Sequence, residues 1–83
     1  MEDKPLGKVV HYFDKAMVAV VRLNSGGLKV GDSLKFAKDN REFYQSVESM
    51  QIDHKAVNAA KKGEEAAVKV SQPAKEGTLV YKI

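Results

Sequence analysis

Gly26-Gly27-Leu28-Lys29-Val30-Gly31-Asp32-Ser33-Leu34-Lys35-Phe36 is the stretch that decides the class of this fold. It reads as a glycine turn, a short extended bridge, a second turn at Gly31-Asp32, and a strand. Paired glycines take positive φ at little steric cost, so Gly26 or Gly27 is expected there. Leu34 and Phe36 alternate with Ser33 and Lys35, which places one face of the strand in a core. Upstream, Met17 to Leu23 is apolar on both faces for most of its length, as in a strand covered on both sides. Before it, Leu6 to Phe13 is rich in β-formers, and Asp14-Lys15-Ala16 makes a tight connection.

Downstream, Ala37 to Arg41 is a polar loop, and Lys38-Asp39-Asn40-Arg41 has no reason to be buried. Glu42 to Asp53 is long for a strand: Phe43 and Val47 share one parity, Met50 and Ile52 the other. A bulge or bend near Ser49 brings both pairs to one face. Between His54 and Glu65 the alanines and valine suggest one helical turn plugging a barrel end, stopped by Gly63. Ala66, Val68 and Val70 alternate as the next strand. Gln72 to Gly77 is a turn. Thr78 to Ile83 is the last strand, with Leu79, Tyr81 and Ile83 on one face. The expected fold is all-β: a small closed six-stranded Greek-key barrel, one domain over residues 1–83 with a flexible lead at 1–5. Its expected core includes Val20, Leu34, Phe36, Val68 and Leu79.

A chain of 83 residues allows one domain, and its composition, 43% hydrophobic and 30% charged, is that of a folded soluble protein. No cysteine is present, so disulfides and thiolate metal sites are excluded. That suits a cytoplasmic setting. No apolar run is long enough to span a membrane, and Met1-Glu2-Asp3-Lys4-Pro5 does not open a secretory signal. The net charge is +3, and among the 14 basic residues only Arg22 and Arg41 are arginine. A lysine-rich surface of mixed charge mainly serves solubility. A monomer is expected.

Gly7-Lys8-Val9-Val10 opening the first strand, Gly26 through Asp32, Val47-Glu48-Ser49-Met50, Ala60 with Gly63, and Glu76-Gly77 before the last strand stand in a joint order. In that order the chain resembles the second-domain β-barrel of translational GTPases such as elongation factor Tu, without the GTPase domain. The resemblance implies a non-catalytic binding module that contacts ribosomal RNA, transfer RNA or a translation protein. In that family, acidic residues near the start of the first strand line an aminoacyl pocket. Here Gly7 and Lys8 stand in their place, and a cation repels an α-ammonium group. Gly7 to Phe13 with Leu28-Lys29-Val30-Gly31-Asp32 is also similar to the small C-terminal barrel of U32 peptidases. That implies the alternative: a protein-interaction or accessory barrel working with a separate enzyme.

Reaction chemistry finds little support. Gly26 through Ser33 has the glycines of a phosphate loop, but Asp32 stands where the lysine belongs and no helix follows, so no nucleotide site is expected. His11 and His54, with Asp14, Asp53 and Glu48, show no metal-site spacing. Ser25, Ser33, Ser46, Ser49 and Ser71 lack a nucleophile elbow. Glu64-Glu65 is not a catalytic pair. The chain is therefore expected to be no enzyme, without cofactor or metal. Lys8, Lys15, Arg22 and Lys35 are the candidate RNA-binding residues, with Tyr12 as a stacking platform, as in barrels that bind single strands. Lys29 is a further cation near them.

Overall fold

The computed structural model describes residues 4–83, and those residues form strands without a helix. In chain order the strands are β1 (Gly7–Phe13), β2 (Val18–Leu23), β3 (Leu28–Lys29), β4 (Ser33–Lys38) and β5 (Arg41–Ser46). They continue with β6 (Met50–Ile52), β7 (Lys55–Ala56), β8 (Ala59–Ala60), β9 (Glu65–Lys69) and β10 (Leu79–Lys82). Eight of them form one sheet in the order β5-β4-β10-β1-β2-β9-β6-β7, while β3 and β8 pair separately. The last strand is thus inserted between β4 and β1.

The all-β class holds, but the closed barrel does not form. The sheet ends at β5 and β7, and among the described residues no ladder joins its two edges. The chain leaves β4's partner at Val47-Glu48-Ser49 and crosses to the other side, where β6 pairs with β9 through Met50 and Gln51. The bend expected near Ser49 is this crossing, and it turns both Val47 and Met50 into the core.

Residue parity is set by one irregularity in β1. Val9 pairs Val21, yet His11 pairs Val20 and Tyr12 pairs Ala19, so Val10 is an extra residue in the ladder. A bulge of this kind lets Val9 and Tyr12, three apart, face the same side. Ala19, Val21 and Leu23 therefore form the core face of β2, with Val9, Leu34, Phe36, Val68 and Val80 packed around them. Two expected core positions need correction. Val20 and Leu79 are half-buried on the outer face, and their neighbours Val21 and Val80 are fully enclosed. An all-apolar strand such as β2 gives no parity signal, so only the pairing could choose.

The turns also differ from expectation. Gly26 and Gly27 do not take positive φ; Gly31, Gly63 and Gly77 do, at 99°, 91° and 93°. Each is the third residue of the same four-residue turn: Lys29-Val30-Gly31-Asp32, Lys61-Lys62-Gly63-Glu64 and Lys75-Glu76-Gly77-Thr78. In each, the fourth residue's N–H donates to the lysine carbonyl, at 3.1, 3.0 and 3.1 Å. A glycine at that position is what a type II turn needs. In two of them the acidic side chain also accepts from the lysine N–H, Asp32 Oδ2 at 2.9 Å and Glu64 Oε1 at 2.6 Å. Asp32 thus closes a turn, which accounts for a carboxylate in a loop whose glycines mimic a phosphate site. Ser25 Oγ donates to the Pro5 carbonyl at 2.9 Å, so the lead expected to be flexible is docked at Pro5. Residues 1–3 lie outside the described residues.

The helical turn expected between His54 and Glu65 is a hairpin instead. Ile52 pairs Lys55 across Asp53-His54, whose φ values are 52° and 66°. Two successive positive φ values make a type I′ turn, which matches strand twist but suits Asp-Gly better than Asp-His. His54→Gly is expected to raise stability by about 0.5–1 kcal/mol by relieving the left-handed backbone. Thermal unfolding would show a rise of a few degrees; an unchanged or lower midpoint would refute the assignment.

Candidate functional site

Lys8 on β1 and Arg22 on β2 are direct cross-strand partners on the exposed outer face. Like charges placed opposite each other repel. Glu65, the partner of Arg22 on β9, relieves this, with its Oε2 3.8 Å from Arg22 Nη1. Lys35 lies two strands away, paired with Tyr81 on one side and Tyr44 on the other. Its Nζ sits 4.6 Å from the Tyr81 ring centroid, a cation–π arrangement. Lys15 is in the β1–β2 turn, roughly 20 Å along the strand from Lys8 at about 3.3 Å per residue. The fold therefore brings Lys8 and Arg22 together, sets Lys35 against tyrosines, and leaves Lys15 apart. Tyr12 faces inward through the bulge, and its hydroxyl donates to Met17 Sδ at 3.3 Å. It packs against the core and is not a platform for a base. The aromatic side chains on the outer face are Tyr44, Tyr81 and Phe13.

A concavity lies at the open seam of the sheet. A cleft of about 620 Å³ separates the first half of β5 from the Gln72–Lys75 segment. Its floor is Phe36, Phe43 and Thr78; its rim is Lys38, Asp39, Arg41, Glu42 and Lys75. Phe36 and Phe43 stack with centroids 4.8 Å apart and planes 4° from parallel. Lys38 Nζ donates to the Glu76 carbonyl at 2.7 Å and ties the β4–β5 hairpin to the turn before β10. At the other end of the seam, Gln45 acts as a side-chain rung. Its Nε2 donates to the Lys69 carbonyl at 2.9 Å, and its Oε1 accepts from the Ser71 N–H at 2.8 Å. The seam is stapled at Gln45 and open toward Arg41. In the sequence the tip of this region reads only as a polar loop. One signal was present: Gln45 is a polar residue on the inward parity of Phe43 and Val47.

The remaining candidates are not assembled into a site. His11 Nδ1 is 3.6 Å from Glu76 Oε2, both exposed, and His54 is in the β6–β7 turn. Among the described residues no three His, Asp or Glu side chains gather as metal ligands. No helix of the described residues is long and apolar enough to cross a membrane.

The fold has close counterparts. The C-terminal domain of a Geobacillus thermoleovorans protein named as a U32 peptidase superposes with a TM-score of 0.87. The match covers 95% of this chain and 99% of that domain at 21% identity. A second crystal structure of that domain gives a TM-score of 0.86 at 20% identity, covering 98% and 92%. The fold is that of a U32 peptidase C-terminal domain. In sequence, the chain is 42% identical over 77 residues to an uncharacterised protease of Methanocaldococcus jannaschii, covering 92% of this chain and 19% of that protein. The chain thus spans about a fifth of the length of that curated relative. No protein-family model matches the chain.

These likenesses correct the first of the two resemblances. The assignment to the translation-factor second domain, and with it the elongation-factor label, is overturned. Both resemblances rested on the same glycine turns and short valine-rich strands of this chain, so those motifs alone did not separate them.

Proposed function

We propose that this chain is a non-catalytic accessory domain that works with a U32-type peptidase, the alternative drawn from its sequence. The observation that carries the reading is the fold, which matches nearly the whole of a U32 C-terminal domain. The 42% identity to part of an archaeal protease points the same way. A domain of this kind acts by binding and positioning, so its useful surfaces are the seam cleft and the outer-face cations. On this reading Lys8, Arg22 and Lys35 contact a partner protein, with Lys15 outside the contact. The chain functions as a single copy in the cytoplasm and needs no cofactor.

The test is reconstitution with the catalytic region of a U32-type peptidase from the same source. Sedimentation should show a one-to-one complex, and the added domain should lower KM for polypeptide substrates while the domain alone hydrolyses none. Within one chain such contacts operate at effective concentrations on the order of 1 mM. Absence of association up to that concentration, with kinetics unchanged, would reject the reading. RNA binding whose salt dependence shrinks when Lys8 and Arg22 are removed would reject it in favour of a nucleic-acid surface.

A further inference from the structure

The seam cleft has a property that goes beyond accessory function and does not depend on it. β5 is an edge strand, and its backbone is only half used. In the β4–β5 ladder Lys38 pairs Arg41 across the two-residue connection, Phe36 pairs Phe43, and Leu34 pairs Gln45. Val47 continues the same parity, its N–H donating to the Asp32 carbonyl at 2.9 Å. Ser33, of the opposite parity on β4, accepts from the Ile83 N–H at 3.0 Å on the β10 side. Antiparallel ladders alternate between bonded and non-bonded pairs. Arg41, Phe43 and Gln45 therefore turn their N–H and C=O groups to β4, and Glu42, Tyr44 and Ser46 turn theirs to the free edge.

The Ser46 carbonyl lies 3.4 Å from Gln45 Nε2, its donor, within the stapled end of the seam. Glu42 and Tyr44 remain. Their backbone groups enter none of the turn, loop or side-chain hydrogen bonds among the described residues. They stand two residues apart, which is the repeat of an added strand. The cleft is lined by Glu42 itself and ends just short of Tyr44, and Phe43 lines its floor. Natural proteins protect strand edges with charge, bulges or a covering segment. Here the covering segment, Gln72–Lys75, stands off by the width of the cleft.

We infer that the β5 edge is a β-addition site for an extended peptide, with Glu42 and Tyr44 supplying the backbone bonds. The chemistry of the cleft specifies the guest. Phe43 and Pro73 offer an apolar contact for one side chain. Lys38, Arg41 and Lys75 outnumber Asp39 and Glu42 around the rim, which favours an acidic side chain at the next position. Along β5 the slot is about three residues long at roughly 3.3 Å per residue, the length of Arg41 to Phe43, and Tyr44 stands at its end. Its volume of about 620 Å³ suits a short segment. Gln72–Lys75 walls the far side, so a single extended chain fits where the edge of a second folded copy, carrying the same wall, does not. Backbone bonds supply affinity in this mode and alternate side chains supply selectivity.

The probe is a blocked, fluorescein-labelled Val-Glu-Val-Glu-Val peptide, titrated into the isotope-labelled chain and followed by NMR and by anisotropy. Amide shifts are expected at Glu42 and Tyr44 and along Gln72–Lys75, with saturation below about 1 mM. Tyr44→Pro removes one outward N–H and no N–H used by β4, so it should fold and bind at least about tenfold more weakly. Tyr44→Phe keeps the backbone and should bind as the parent does. A peptide N-methylated at alternate residues should lose binding in one register of methylation and keep it in the other. Shifts confined to the Lys8–Arg22 face, equal affinity of a folded Tyr44→Pro chain, or a dimer joined at β5 in sedimentation would each overturn the assignment. Absence of any shift up to 1 mM would do the same, and it would leave the peptidase reading intact, because reconstitution measures that separately.

Discussion

Phe36→Ala is expected to bring this protein to the edge of unfolding, at a cost of about 3–5 kcal/mol. Phe36 is 1% exposed, the largest of the fully enclosed side chains. It sits on β4 between β5 and β10, opposite Phe43 on one side and Val80 on the other. Its ring also stacks on Phe43 at 4.8 Å, and aromatic pairs contribute about 0.5–1.5 kcal/mol beyond the area they bury. The void left by alanine would open into the seam cleft, whose floor Phe36 helps to form. Small domains sit at the low end of the usual 5–15 kcal/mol range, so most of the stability would be lost. Urea unfolding followed by circular dichroism would measure it. Phe36→Leu, which keeps most of the volume, should cost roughly 1–2 kcal/mol. An alanine variant within about 1 kcal/mol of the parent would show that the sheet does not depend on this ring.

Gly7→Ala is the second severe change, and its cause is different. Gly7 opens β1 and pairs with both Leu23 and Val80. A Cβ built on it runs into the carbonyl oxygen of Arg22 and comes within 3.1 Å of a Val21 side-chain carbon. The first obstacle is backbone, so no rotamer can relieve it; β1 and β2 would have to separate at the start of their ladder. Overpacking commonly costs about 1–3 kcal/mol, and a rigid partner places this case at or above the top of that range. Two other glycines calibrate the effect. Gly31→Ala has open space around the new methyl but a φ of 99°, and should cost on the order of 1 kcal/mol through backbone strain. Gly26→Ala meets only a Leu6 methyl at 3.5 Å, an ordinary contact, and should be nearly neutral. Chemical denaturation of the three variants should rank them Gly7, Gly31, Gly26 in order of damage. A Gly7→Ala protein as stable as Gly26→Ala would refute the close approach.

Local chemistry was enough for the class of this protein. Runs of β-branched residues between glycine turns have few ways to satisfy their backbone other than in sheets, and Leu34, Phe36, Ala66, Val68 and Val70 declare their inward face by simple alternation. The break in the long Glu42–Asp53 run was legible for the same reason, since Val47 and Met50 share a face only across a bend. The seam was not. Whether a small sheet closes depends on the stagger and length of every strand together, and β6 contributes only Met50 and Gln51 to the β9 ladder. The inward faces of β2 and β10 were also beyond local pattern, because Val20 and Val21, or Leu79 and Val80, are equally apolar neighbours. The extra residue at Val10 and the insertion of β10 between β4 and β1 chose between them. The alanines after His54 suit a helix locally, yet the backbone of Asp53-His54 reverses into a hairpin whose second strand pairs with β6. Turn and strand grammar is local and is written in neighbouring residues. Closure, parity in uniformly apolar strands and the open edge of β5 come from pairing between distant segments, which only the assembled sheet decides.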